Sequence, residues 1–211
     1  MPTSIGKAHL ELHRAKRAAE ELARTDQPTG LLNRRGLMDA APTLGRSVFA
    51  LVIADIDRFK FVNDTYGHVV GDDVIRTVAH RMADELSRLG LLARVGGGEF
   101  ALLCSGLSVD DLMERLSAVH DRIASTPIMS KGLAVRVRIS AGVAVARNSE
   151  EFDQLYSAAD HALYSAKAAG RNRIVLANGA NTALTLVGDD KASTVNDNAF
   201  ATASPELFVA T

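Results

Sequence analysis

A pair of carboxylates, Asp55-Ile56-Asp57, closes an apolar run, Ser47–Ile56, that is β-branched or aliphatic nearly throughout. Carboxylates at the end of a buried central strand are where α/β proteins place divalent cations and phosphates. One of the two suffices for an ion, leaving the other for capping or solvation. A second stretch, Arg94-Val95-Gly96-Gly97-Gly98-Glu99-Phe100, reads as a glycine-rich turn between strands at 91–95 and 100–104. Three consecutive glycines admit positive φ and let a planar or phosphorylated ligand approach the main chain closely. Each signal is weak alone, because most such pairs only cap a strand end and most glycine runs are only turns.

Positioning these groups falls to a simple succession of elements. Lys7–Arg24 has helix-forming composition and a narrow stripe of Leu10, Ala15, Ala18 and Leu22, which suits a lead-in helix or a dimerising coiled coil. Pro28 stops it, and Asn33 is placed to cap a helix over 34–41. After the Ser47–Ile56 strand, 66–73 reads as a turn leading into a helix over 74–89 with Val74, Val78, Met82 and Leu86 on one face. Beyond the glycine turn, Ser108 is an N-cap for a helix reaching Ser125. A half-exposed strand at 133–139, a buried one at 139–146, a helix over 152–169 closed by Gly170, and a short strand at 174–176 complete the pattern. This order predicts an α+β domain of sandwich-like build. Helices would lie on one face of a mixed, largely antiparallel sheet around a ferredoxin-like β-α-β-β-α-β core. Three segments are expected: the lead-in helix at 1–25, the domain at 26–177, and a polar, poorly ordered tail at 178–211.

Composition narrows the function classes. Hydrophobic residues make up 47% and charged residues 23%, as in ordinary globular domains, and the net charge of −1 offers no general attraction to nucleic acid. The single cysteine, Cys104, excludes an intramolecular disulfide and reads as a core thiol. No run approaches the ~18 apolar residues of a membrane span. The first residues lack the apolar core of a secretory signal, so a cytoplasmic location is expected.

Four blocks then agree in order and spacing with one family. Asp26–Arg35 resembles the segment D-x-L-T-G-L-x-N-R-R, with Pro28 where leucine is usual. Asp55–Asp72 is similar to D-x-D-x-F-K-x-x-N-D-x-x-G-H-x-x-G-D at every fixed position, Arg94–Phe100 resembles R-x-G-G-D-E-F, and Ala159–Arg173 resembles A-D-x-A-L-Y-x-A-K-x-x-G-R-N-R. The chain thus resembles the GGDEF family, whose active members are diguanylate cyclases, over residues 25–176. The resemblance implies GTP as ligand, a homodimer or another GGDEF/EAL-type protein as partner, and Mg²⁺ or Mn²⁺ as cofactor. It further implies that Asp55 and the Ile56 carbonyl hold the metal, and that Asn63 and Asp72 bind guanine. Main-chain amides near Arg58 and Phe59, with Lys60, Lys167 and Arg171, would hold the triphosphate. Lys167 and Arg171 are spaced i, i+4, which on a continuous helix turns both cations to one side.

Two departures shape the functional expectation. Gly98 occupies the signature position where active members carry an acid, so a metal ligand and an activator of the attacking hydroxyl are missing. Glu99 remains, but as a neighbour on a turn it is expected to diverge from that position. Losing even a residue that supports a ligand lowers metal affinity or activity by ~10–100-fold. The product-binding R-x-x-D motif of many cyclases corresponds to Ser87-Arg88-Leu89-Gly90, which lacks both charged residues. The sequence therefore favours a catalytically degenerate, GTP-binding regulator. The alternative is an active cyclase that makes cyclic di-GMP from two GTP with Lys60 and Glu99 serving catalysis.

Overall fold

The computed structural model describes residues 23–146, 152–177, 183–187 and 193–196. The lead-in helix expected at 7–24 lies outside the described residues except for its last two positions, which are helical.

β2 (Val48–Ile56) is the axis of the fold. Ala50 through Ala54 are all buried, so both of its faces need cover. It pairs antiparallel with β4 (Glu99–Ser105) on one side and with β7 (Ile139–Val145) on the other. β3 (Gly90–Arg94) lies outside β4, and the two-residue β1 (Leu32–Asn33) runs parallel to it. Beyond β7, β8 (Ile174–Ala177) pairs in parallel. The segment β3-β4-β2-β7 of this sheet, with its connecting helices, is the ferredoxin-like core anticipated above.

Among the described residues the helices that pack around the sheet are α1 (Arg34–Ala40), α2 (Phe59–Tyr66), α3 (His68–Leu86), α4 (Val109–Ser125) and α5 (Phe152–Ala168). The expectation that helices lie on one face is corrected. Ala50, Val52, Ala54 and Ile56 turn towards α3 and α4, where Val74, Val78, Met82, Leu112, Leu116 and Ile123 meet them. Leu51 and Ile53 turn the opposite way, against Leu37 of α1 and Leu155, Ala159 and Leu163 of α5. A strand apolar on both faces demands a layer on each, and period-two alternation distributes its side chains between them. On the α5 side the approach is tight. A Cβ on Gly142 of β7 would fall 2.1 Å from the Ala159 carbonyl oxygen and 2.3 Å from the Leu163 nitrogen.

Several boundaries differ from expectation for local reasons. The turn expected over 66–73 is confined to Gly67, whose φ of 82° separates α2 from α3, so α3 starts at His68. Val70 then extends the stripe of Val74 and Val78 by one turn and is buried with them. The strand expected at 133–139 is divided. β6 (Leu133–Val135) pairs with β5 (Ile128–Ser130) in a separate hairpin, turned at Lys131 and Gly132 with both φ positive. Arg81 of α3 donates to the Thr126 and Pro127 carbonyls at 2.7 and 3.3 Å and moors the approach to this hairpin. The helix caps stand as expected: Asn33 Oδ1 accepts from the Gly36 N–H at 2.8 Å, and Ser108 Oγ from the Asp111 N–H at 3.1 Å. In the region expected to be a poorly ordered tail, β9 (Ala183–Val187) and β10 (Ser193–Asn196) extend the sheet antiparallel from β8.

Candidate functional site

The carboxyl end of β2, the start of β4, the first turn of α2 and the C-terminus of α5 converge on Asp55. The register places Asp55 opposite Glu99 on one side and Ser140 on the other. The Ile56 N–H donates to the Gly98 carbonyl at 3.0 Å, so the glycine turn is fastened to the strand end that carries the carboxylates. The Ile56 side chain is buried in the core, which leaves its carbonyl as the only group it offers a ligand.

Asp55 lies on the α5 face, and its Oδ2 is 2.8 Å from Lys167 Nζ. Burial pushes the Asp55 pKa above the usual carboxylate value and Asp57 adds to the rise, while the Lys167 hydrogen bond, its charge and that of Arg171 pull the other way. The cation that faces the carboxylate is Lys167. Asp57 has a different task. Its Oδ1 accepts from Ser140 Oγ at 2.7 Å and its Oδ2 from the Asn172 N–H at 3.0 Å. It ties the loop after α5 to the sheet, and Ser140, which the sequence did not single out, completes the tie.

That loop changes the reason why Lys167 and Arg171 come together. α5 ends at Ala168, and Arg171 and Asn172 both adopt left-handed backbone, with φ of 65° and 51°. The Arg171 N–H donates back to the Ala166 carbonyl at 3.0 Å. The charges of both cations thus act on Asp55 through a folded-back helix end held by Asp57, and not by i, i+4 spacing on a continuous helix. Arg173 Nε donates to the Arg171 carbonyl at 2.9 Å and supports the same loop.

On the other side of Asp55, the chain leaves β2 through Arg58, a non-glycine residue with φ of 56°. This bend starts α2, and no side chain caps its N-terminus. The N–H groups of its first turn, at Phe59 and Lys60, are of the kind that receive phosphate oxygens. Lys60 is exposed beside them. Further along α2, Asn63 packs over Gly71 of α3, where a Cβ would stand 1.9 Å from Asn63 Oδ1. Glycine at 71 therefore makes room for the Asn63 amide, and Asp72, the next residue of α3, is exposed.

The glycine turn itself differs from expectation. None of Gly96, Gly97 and Gly98 has positive φ, so what glycine supplies here is space. Gly98 is buried, and a Cβ on it would lie 3.1–3.3 Å from Cβ, Cγ and Cδ1 of Phe59. Glu99 is the first residue of β4 and shares the Asp55 face of the sheet, a closer relation than that of a diverging neighbour on a turn. Its carboxylate nonetheless leans over Gly96, where a Cβ would lie 2.6 Å from Oε2. Arg94 was also missed as a working residue. Its Nη1 contacts Asp26 Oδ1 and Oδ2 at 3.2 and 3.1 Å, while Nε and Nη2 donate to the Gly96 and Gly97 carbonyls. It clamps the entry loop onto the turn, and its fixed place at the head of the signature was the available signal.

As a metal site the cluster is incomplete. Among the described residues no group of three or more His, Cys, Asp or Glu side chains is placed to hold an ion. Asp55 and the Ile56 carbonyl are the donors at hand, and the carboxylate faces a lysine. The residues do not form a two-carboxylate metal site.

An acidic strand end facing a basic helix end, on a ferredoxin-like core with an open helix N-terminus alongside, places the chain in the class of nucleotidyl-cyclase-like α+β domains. The family model described as "Diguanylate cyclase, GGDEF domain" matches residues 23–173. The chain belongs to the GGDEF family. It is 36% identical to the diguanylate cyclase DgcP of Pseudomonas aeruginosa over 179 residues, 81% of this chain and 25% of that protein. It is 37% identical to the response regulator PleD of Caulobacter vibrioides over 164 residues, 74% of this chain and 36% of that protein. The chain therefore spans between a quarter and about a third of the length of these relatives. Among solved structures, the coiled coil and GGDEF domain of DgcB from Caulobacter crescentus, in complex with c-di-GMP, superposes with a TM-score of 0.73 at 29% identity, covering 82% of this chain and 97% of that one. Diguanylate cyclase SiaD from Pseudomonas aeruginosa, in complex with its activator SiaC, gives 0.68 at 33% identity over 81% and 68%. Among the described residues no helix is long and apolar enough to cross a membrane.

Proposed function

We propose that this domain is a catalytically degenerate member of the family that binds GTP and acts as a regulator in cyclic di-GMP signalling, in the cytoplasm. The observation that carries the reading is Gly98. It is fastened to the carboxylate-bearing strand end through the Ile56 N–H, yet it brings no side chain there. Phosphoryl transfer depends mostly on positioning and on charge compensation by metal ions, and the second acid is the missing part. The groups assigned to nucleotide binding are all present: Asn63 and Asp72 for guanine, the first turn of α2 with Phe59 and Lys60, and Lys167 with Arg171 for phosphates. Mg²⁺ or Mn²⁺, the cofactor expected from the family, would have Asp55 and the Ile56 carbonyl as its protein donors. Its regulatory partner would be a second copy of the chain or another GGDEF/EAL-type protein. Ser87 and Gly90 leave no R-x-x-D site for product.

One observation favours the alternative of an active cyclase: Glu99 lies in register with Asp55 on the same sheet face. Incubation with GTP and Mg²⁺ or Mn²⁺, followed by chromatography for cyclic di-GMP, separates the readings when Gly98→Asp is run alongside. The backbone at Gly98 accepts an aspartate, because its φ is not positive, and Phe59 needs to give way by only a few tenths of an ångström. No product from the native chain is expected. Product from the native chain would overturn the degenerate reading and assign the missing ligand to Glu99.

A further inference from the structure

We infer that the site binds the GTP triphosphate without a divalent cation, with Lys167 taking the place of the metal between Asp55 and the phosphates. The inference rests on the GTP-binding reading above and deepens it. In a site with two acids, nucleotide phosphates meet two negative charges, and a metal ion is what turns repulsion into attraction. Here the acid at 98 is absent, and the remaining carboxylate is already neutralised by Lys167 Nζ at 2.8 Å. That pair is sheltered, with side-chain exposures of 31% for Lys167 and 19% for Asp55. A cation entering the site would have to separate the pair and would find one carboxylate and one carbonyl in return. Removing a ligand from a metal site lowers its affinity by at least about tenfold.

Lysine is suited to the exchange. Its ammonium carries three donors, so one can serve Asp55 while two face a phosphate oxygen. The position is fixed from behind, because Asp57 holds the loop that follows α5 through Ser140 and the Asn172 N–H. Arg171 on the same loop lies near enough for its charge to act on Asp55. With Lys60 on the first turn of α2, the phosphate side of the site offers three cations, while Glu99 leans over Gly96 and Asp57 is engaged by Ser140 and the Asn172 N–H.

The test is equilibrium binding of a fluorescent guanine nucleotide, followed by anisotropy, to the native chain, Gly98→Asp and Lys167→Gln, each in Mg²⁺ and in EDTA. The native dissociation constant is expected to agree within about threefold in the two buffers. Gly98→Asp restores the second acid, so its binding should weaken about tenfold or more in EDTA and recover in Mg²⁺. Lys167→Gln should lose about tenfold or more in EDTA, since Asp55 is then left facing the phosphates unpaired. Native binding that Mg²⁺ tightens tenfold, or a Lys167→Gln chain that binds normally in EDTA, overturns the inference and leaves GTP binding standing. No binding by the native chain in either buffer overturns both.

Discussion

Gly71→Ala separates the role of Asn63 in recognition from the stability of the fold. Gly71 sits in the first turn of α3, and a Cβ there would lie 1.9 Å from Asn63 Oδ1, 3.0 Å from Asn63 Cγ and 3.5 Å from Phe59 Cζ. A carbon and an oxygen in contact stay about 3.3 Å apart, so the amide oxygen must move by roughly 1.4 Å. A displacement of that size carries a hydrogen bond beyond its working range. A guanine edge left unpaired by Asn63 costs about 1.5–3 kcal/mol, or roughly 10- to 150-fold in dissociation constant. Stability should barely change. Alanine in a helix gains up to about 1 kcal/mol over glycine, and the clash is with the mobile end of a side chain, not with backbone. Anisotropy titrations with GTP and ATP, beside a thermal melt, are the assay. GTP affinity should fall by the stated factor, ATP affinity should be the same as that of the native chain, and Tm should move by no more than a few degrees. GTP affinity within twofold of native at unchanged Tm would refute the assignment of Asn63 to guanine. A parallel loss for both nucleotides with a collapsed Tm would show that Gly71 serves the α2–α3 packing and not recognition.

Arg94→Ala removes a clamp whose two ends are 14% and 19% exposed, and it should cost about 3 kcal/mol in chemical denaturation. Faster hydrogen exchange at 26–33 and 96–98 should accompany the loss, and a cost below about 0.5 kcal/mol would class the pair with ordinary surface salt bridges. Cys104 is fully buried in β4 with Sγ 3.6 Å from the Ala50 carbonyl, and burial pushes its thiol up from 9.0 to about 11. The folded state therefore favours the protonated thiol. Its contribution, about 3 kcal/mol, is complete below pH 9 and is lost as pH rises through 11, so urea midpoints should fall more steeply with pH in the native chain than in Cys104→Ala.

Much of the fold was legible because its strongest signals are local. The run to Ile56 is apolar on both faces and could only be a central strand, while Asn33 and Ser108 cap helices through their nearest neighbours in sequence. What was misread depended on distant partners or on one dihedral. Helices on both faces follow from the same two-faced burial of β2, but which helix covers which face is decided by chain crossings that periodicity does not encode. The start of α3 was placed six residues late because Tyr66–Asp73 has turn composition, although Gly67 alone makes the turn. The strands at 183–187 and 193–196 were missed because they lie in a stretch of polar, weakly periodic composition, although Ala183–Val187 is itself mostly apolar, and both take their support from the strand beside them.

The site shows a different limit. The resemblance to the family pointed to Asp55, Asn63, Asp72, Lys167 and Arg171, and the structure brings Lys167 to Asp55 and packs Asn63 over Gly71. Spacing alone gave the wrong cause for the pairing of Lys167 with Arg171, since α5 stops at Ala168 and the return is made by two left-handed residues. It also gave no hint that Lys167 is bonded to Asp55. That contact changes how Gly98 is understood. A missing acid in a signature reads as a loss, yet at the same strand end the remaining carboxylate already has a cation at 2.8 Å. With the acid gone, charge at the site balances through the protein's own lysine. Gly98 and the Lys167–Asp55 pair are then two parts of one electrostatic arrangement, and the Gly98→Asp chain should show both cyclase product and metal dependence or neither.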